Sequence, residues 1–168
     1  MERTKWTERK FAFDFPEGWL ANILERLRGT GIRMEEMTVG ISNSQMEMRP
    51  GDKWSIKEHI GHLADLEELH IGRLDDFENG KEMLRPADMS NAKTNAANHN
   101  QKSREALLED FRLKRAVLVL RFEKLDDKIQ LMKSMHPRLQ TFMRPVDVAF
   151  FAAEHDDHHL ASMRKLLK

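Results

Sequence analysis

His155 and His159 stand one helical turn apart in the middle of the last helix this chain can form. Four residues of separation puts them about 40° apart around a helix axis, so they share one face. That face also carries Val148, Ala152, Met163 and Leu166, whereas Glu154 and Asp157 fall toward the opposite side with Asp147, Arg164 and Lys165. The two imidazoles therefore point inward. A buried imidazole needs partners for its ring nitrogens, because an unpaired polar group in an apolar setting is costly. Any fold open to this chain must bring polar groups, or an ion, to the inner face of its closing helix.

The rest of the sequence supplies helices to surround that face. Trp19, Leu20, Ile23, Leu24 and Leu27 recur at helical spacing after Pro16, a good first-turn residue. Gly29 and Gly31 are expected to interrupt this helix, with Thr30 capping a second piece through Met34 and Met37. Residues 40–52 read as a loop. Ser55-Ile56-Lys57-Glu58 is a capping box that opens a second helix, with Ile56, Ile60, Leu63, Ile71, Leu74 and Phe77 as its buried stripe and Asn79-Gly80 at its end. Residues 81–98 are polar and long for a bundle loop, a length often associated with function. A third helix over about 100–125 places Leu107, Phe111, Leu118, Phe122 and Leu125 on one face, with Arg115 inside the stripe. Met135-His136-Pro137 breaks the chain, residues 129–141 have room for a short irregular element, and the last helix covers 146–167.

Four helices with no strand signal and no repeat predict an all-α, antiparallel four-helix bundle with long connecting loops. The chain of 168 residues reads as a single domain, 1–168, with an N-terminal arm over 1–14 and the bundle over 15–167. The arm, charged and aromatic by turns, is expected to pack on the surface or on a second subunit. Equal numbers of basic and acidic residues, 28 of each, argue against a nucleic-acid partner, which normally demands a basic excess. No apolar run suggests a secretory leader or a membrane span, so the expected compartment is the cytoplasm. The absence of cysteine excludes thiolate nucleophiles and Cys-ligated zinc, leaving nitrogen and oxygen donors for any metal.

Two histidines at i, i+4 allow two nitrogens to converge on one ion. The second helix offers a third donor from His59, His62 or His70, and helical projection alone admits any of them. Other patterns fit less well. There is no His-Glu-x-x-His, no phosphate-binding glycine loop and no nucleophile elbow. Glu67 and His70 have di-iron spacing, as do Asp156 and His159, but the further inward carboxylates are missing.

Trp54-Ser55-Ile56-Lys57-Glu58-x-x-x-His62-Leu63-Ala64-Asp65 resembles the opening motif of the DinB-like (YfiT-like) four-helix-bundle metalloproteins. Phe111-x-x-x-Arg115, His136-Pro137 and the run from His155 to Leu160 resemble that family's later motifs, and the match spans roughly residues 15–167. The resemblance implies a divalent metal, zinc or nickel, held by His62, His155 and His159, with His158 moved to the flank. It also implies catalysis by a metal that activates water or a low-molecular-weight thiol, giving a hydrolase or a thiol S-transferase acting on a small-molecule substrate. Asp65, Glu154 and Asp156 are candidate acceptors for the imidazole N–H groups. Arg115 and His136 are candidates to meet substrate. The resemblance and the aromatic arm together make a homodimer an expectation. The rival from another class is a non-catalytic stress-response or interaction bundle whose metal is structural or vestigial.

Overall fold

The computed structural model describes residues 3–168, the side chain of Glu17 excepted, so the first two residues of the expected arm lie outside the described residues. Seven helices and one hairpin follow in order: α1 (Leu20–Thr38), α2 (Asn43–Glu47), α3 (Ile56–Glu78), α4 (Ala92–Ala96), α5 (Arg104–Glu123), α6 (Asp127–Gln130), β1 (Ser134–His136), β2 (Thr141–Met143) and α7 (Pro145–Leu166). The four long helices, α1, α3, α5 and α7, form the expected bundle. No helix among the described residues is long and apolar enough to cross a membrane.

Each long helix packs closely on two others: α1 on α5 and α7, and α3 on the same two. Helices that are consecutive in the bundle therefore need not be neighbours; α1 and α3 lie across the diagonal. Cross-contacts give the directions. On α1 and α7 the partners advance together, Arg26 with Glu154, Thr30 with Asp156 and Arg33 with Asp157, so these helices run parallel. On α3 and α5 they also advance together, Glu67 with Arg115 and then Asp75 with Arg121. Across α1 and α5 the order reverses, Glu35 meeting Arg112 and Arg28 meeting Glu123. Across α3 and α7 it reverses again, His59 meeting His159 while His62 faces His155. The antiparallel packing expected from sequence thus holds for two of these four neighbouring pairs.

A parallel pair cannot be joined by a tight turn, because the chain must return along the whole helix first. Helix α3 is about 34 Å long at 1.5 Å per residue. This explains the length of the 79–103 connection. It runs back along α3, forming α4 and a 3-10 turn (His99–Gln101) on the way, and delivers Asn100 beside Ser55 and Lys57 at the start of α3. Near its beginning it is pinned to the hairpin: Leu84 N–H donates to Met135 C=O, and Met135 N–H donates to Glu82 C=O. The hairpin itself has three residues per strand, too few for a period to show in sequence.

Helix α1 is continuous through Gly29, Thr30 and Gly31, against the expected break. Thr30 is fully buried and donates its hydroxyl to Asp156 rather than capping a new helix. Glycine inside a helix costs only about 1 kcal/mol relative to alanine, and packing on α5 and α7 outweighs that. The arm lies on its own chain's α7: Arg3 donates to His158 C=O and to Ser162 Oγ, Arg9 pairs with Glu154, and Trp6 stacks among Phe11, Phe151 and His155.

The core is divided in two. One apolar half holds Leu27, Leu74, Phe77, Leu118 and Phe122; the other holds Met34, Ile60, Leu63, Phe111 and Met163. Between them lies a charged layer in which Arg115, 4% exposed, donates to Glu67 from Nε and Nη2 and to Asp156 from Nη1 and Nη2. Arg115 also donates to Leu27 C=O, so one guanidinium ties all four long helices together.

Candidate metal centre

The capping box expected at the start of α3 is present: Ser55 Oγ accepts from Glu58 N–H while Glu58 Oε2 accepts from Ser55 N–H. Fixing that first turn fixes where His59 and His62 project, one and two turns into the helix. They meet the second half of α7, where His155 and His159 project from the opposing face. One donor atom from each of His62, His155 and His159 lies within 4.8 Å of the other two. His155 Nε2 and His159 Nε2 are 3.1 Å apart. Of the three α3 candidates that projection admits, His62 is the one whose ring nitrogen lies in this cluster.

His59 has a different place. Its Nδ1 lies 2.8 Å from His159 Nδ1, so it takes up the ring nitrogen of His159 that faces away from His155. His70 is buried and lines the same cavity, with its Nδ1 free of any partner among the described residues. His158, half-buried, stands against Trp6 and the edge of His159.

The supporting groups come mainly from the 79–103 crossover. His62 Nδ1 lies 3.1 Å from Thr94 Oγ1, and that hydroxyl donates to Asp65 Oδ2 at 2.9 Å. His99 Nε2 reaches the same Asp65 oxygen at 2.9 Å. Asp65 therefore acts on His62 through Thr94 rather than by touching it. Burial would raise the Asp65 carboxyl, but the hydrogen bonds from His99 and Thr94 prevail and hold it below its usual range. His99 can come this close only because residue 61 is glycine; a Cβ there would lie 2.2 Å from the His99 ring. Trp54, just before α3, lays its indole 4.5 Å from the His62 ring and closes the other side.

Three of the sequence candidates lie elsewhere. Glu154 accepts from Arg9 and Arg26 on the outside of α7. Asp156 accepts from Arg115 and Thr30 in the charged layer and touches no imidazole. Arg115 is wholly engaged by Glu67, Asp156 and Leu27 and faces no substrate space beside the histidines. Helical projection gives the side on which a residue sits but not which neighbour reaches it first. His136 does line the same cavity as the cluster.

The electrostatics suit cation binding. Burial pushes His62 down to about 4, with His99 adding to the effect and Asp65 opposing it, and burial with the nearby His62 pushes His59 down to about 4. Burial likewise pushes His155 and His159 well below their ordinary value. At neutral pH these rings are uncharged and their lone pairs are available, the state in which imidazole ligates a metal. The donor set fits a divalent ion. At metal–nitrogen distances of about 2.0–2.1 Å, ligand nitrogens around a single ion stand roughly 3–3.4 Å apart, close to the His155–His159 separation. Thr94 and His59 hold the remaining nitrogens of His62 and His159, the outer contacts that fix tautomer and ring orientation in metal sites.

The cluster opens onto a cavity of about 500 Å³, within the range of small-molecule sites. Trp6 and Thr7 of the arm, Pro86 to Met89 of the crossover and His136 to Arg138 of the hairpin form its walls. Three donors with an open side are the arrangement of catalytic rather than closed structural metal sites.

Comparison with known proteins adds the lineage. The DinB superfamily profile matches residues 26–163. Among solved structures, YfiT from Bacillus subtilis superposes with a TM-score of 0.75 at 18% identity, covering 95% of this chain and 91% of that one; it is described as a probable metal-dependent hydrolase with an unusual four-helix bundle topology. A mycothiol-dependent maleylpyruvate isomerase superposes with a TM-score of 0.69 at 12% identity. That match covers 91% of this chain but only 63% of the isomerase chain. No curated protein matches the sequence significantly. At these identities the likeness carries the fold.

Proposed function

Because the chain belongs to the DinB superfamily, we propose that it is a metal-dependent enzyme in which His62, His155 and His159 hold one divalent ion, zinc or nickel, for chemistry on a small molecule. The observation that carries this reading is the convergence of three neutral imidazoles on one point at the floor of a cavity. When bound, the ion supplies a Lewis acid that acidifies a water or a low-molecular-weight thiol, making the enzyme a hydrolase or a thiol S-transferase. The chain has no cysteine, so any sulfur comes from a soluble thiol.

The remaining work belongs to residues of this chain. His59 and Thr94 orient the rings of His159 and His62, and Asp65 anchors Thr94 while it is itself held by His99. Trp54 and Trp6 flank the histidines and limit the water that reaches them. A non-catalytic bundle with a structural ion has no use for an open cavity at its ligands.

The test is turnover by tag-free protein loaded with zinc or nickel, against a panel of esters, amides and electrophiles, with and without small thiols. Turnover that needs the thiol identifies a transferase, and turnover without it a hydrolase. No turnover of any substrate by protein that holds its metal would favour the non-catalytic bundle.

A further inference from the structure

The same cavity carries a second group of polar side chains, which begins two to three turns along α3 from His62. Arg73 of α3 and Arg138 of the β1–β2 turn both line it, together with His70 and His136. Arg73 is 2% exposed, yet its only hydrogen bond among the described residues goes to the C=O of Arg85. Arg138 has no hydrogen bond or ion pair to any described residue; its guanidinium lies over the rings of Phe151 and Trp6, and its buried Nη2 is unpartnered. His136 Nε2 and His70 Nδ1 are also buried and unpartnered, while His136 Nδ1 accepts from Leu139 N–H.

The described carboxylates near these cations are engaged elsewhere. Asp76 is near enough to favour the charge on Arg73, but its oxygens accept from the backbone N–H, Nε and Nη2 of Arg85. Arg85 reaches Asp76 over Gly72, where a Cβ would lie 2.0 Å from its guanidinium. Asp88, the one carboxylate among the described residues lining the cavity, accepts from Ser90 N–H, Ser90 Oγ and Ala92 N–H. Burial, with repulsion from Arg138 and Arg85, depresses Arg73 to about 10, so it still carries its charge at neutral pH. The contrast with Arg115, equally buried but matched by two carboxylates, makes the imbalance specific to the cavity. An unmatched buried cation destabilises a fold unless something else compensates it.

We propose that this part of the cavity is an oxyanion subsite, where Arg73 and Arg138 bind the carboxylate or phosphate of a small organic acid whose other end reaches the three-histidine cluster. Guanidinium groups suit this because their planar forks match carboxylate and phosphate oxygens. His136 and His70 add further ring nitrogens to the lining, and along α3 Leu66 and Leu69 stand between His62 and Arg73. As a substrate assignment this rests on the proposed metal-dependent function; as a binding site it needs no metal.

The experiment is titration calorimetry on the full chain at low ionic strength, before and after chelator treatment, with succinate, inorganic phosphate and uncharged succinamide as probes. The expected result is saturable binding of one anion per chain and none of succinamide, with the tighter of succinate and phosphate identifying the anion. Arg138→Gln, at a half-buried turn position, is expected to weaken binding by about 10-fold or more, the scale of one charged hydrogen bond. Arg73→Lys is expected to weaken it as well, and thermal melts report whether each variant stays folded. Absence of anion binding, or binding untouched by Arg138→Gln, overturns the subsite. Binding that disappears with the metal and ignores Arg138 overturns it too, but leaves the metal reading standing. Arg138-dependent binding by protein that never takes up metal supports the subsite while removing the metal.

Discussion

Two buried polar clusters lie within one bundle, and they are finished to different degrees. In the Arg115 layer every ionisable group is hydrogen-bonded: two carboxylates and a carbonyl satisfy one guanidinium, and Thr30 takes up a further Asp156 contact. In the cavity, ring nitrogens face one another across 3.1 Å, and atoms of His70, His136 and Arg138 are buried with no partner. Both clusters cost desolvation, but only the first is compensated from within the chain. A closed network of this kind holds helices in register, whereas an open one is arranged for something that arrives from outside. The difference separates the scaffold from the site more clearly than burial does, since both regions are buried.

This contrast can be broken by substitution. Arg115→Met leaves Glu67 and Asp156 as uncompensated buried carboxylates and is expected to cost about 3–5 kcal/mol in urea unfolding. His155→Ala is expected to cost far less stability while removing the metal. Equal losses in the two variants would erase the distinction between the clusters.

A smaller effect is expected at Gly61. Alanine there meets the His99 ring and should cost about 1–3 kcal/mol, as overpacking of a tight contact does. It should also loosen Asp65 and Thr94, so metal affinity should fall with stability. Thr94→Val isolates the second effect: it keeps the shape, removes the hydroxyl between His62 and Asp65, and should lower metal affinity about 10–100-fold with the fold intact. Unchanged affinity in Thr94→Val would mean that the crossover shapes the cavity without tuning the ligands.

The pH dependence gives the gentlest probe. His62 has its folded pKa depressed to about 4, below the ordinary 6.5, so below pH 6.5 the unfolded chain binds the proton first. Metal-free stability is therefore complete above about pH 6.5 and declines as the pH falls toward 4, by roughly 1.4 kcal/mol per pH unit for this imidazole, with His155 and His159 acting in the same direction. The Arg115 layer has no histidine and does not share that slope. Chemical denaturation of chelated protein across pH 4–7 checks this; a flat profile would show that the imidazoles are not buried neutral.

How much of this was visible in the sequence follows from what generates a period. The helix faces were legible because Leu63, Leu74, Phe111 and Phe122 recur at helical spacing, and the pair His155 and His159 was legible for the same reason. The choice of His62 came from a motif resemblance, since projection also admitted His59 and His70. The direction of each helix was not legible, because apolar stripes look alike in either sense. Nor were Thr94 and His99, which reach the site only because a parallel α3–α5 pair forces the crossover back along α3. One trace of that crossover was present. Gly61 and Gly72, eleven residues apart and so almost on one face, are unfavourable inside a helix unless another segment must lie against them. Glu154 and Asp156 stand as candidates in the sequence because they adjoin the histidines in the chain, but their arginine partners come from α1, α5 and the arm, which adjacency does not reveal.

Metal stoichiometry tests the central claim most directly, measured on tag-free protein for the native chain, for His62→Ala, His155→Ala and His159→Ala separately, and for His136→Gln as a control outside the cluster. One ion per chain in the native protein and in the control, with none in the three cluster variants, is the predicted result. An ion retained when any one of the three histidines is removed, or no ion in the native chain, would contradict it.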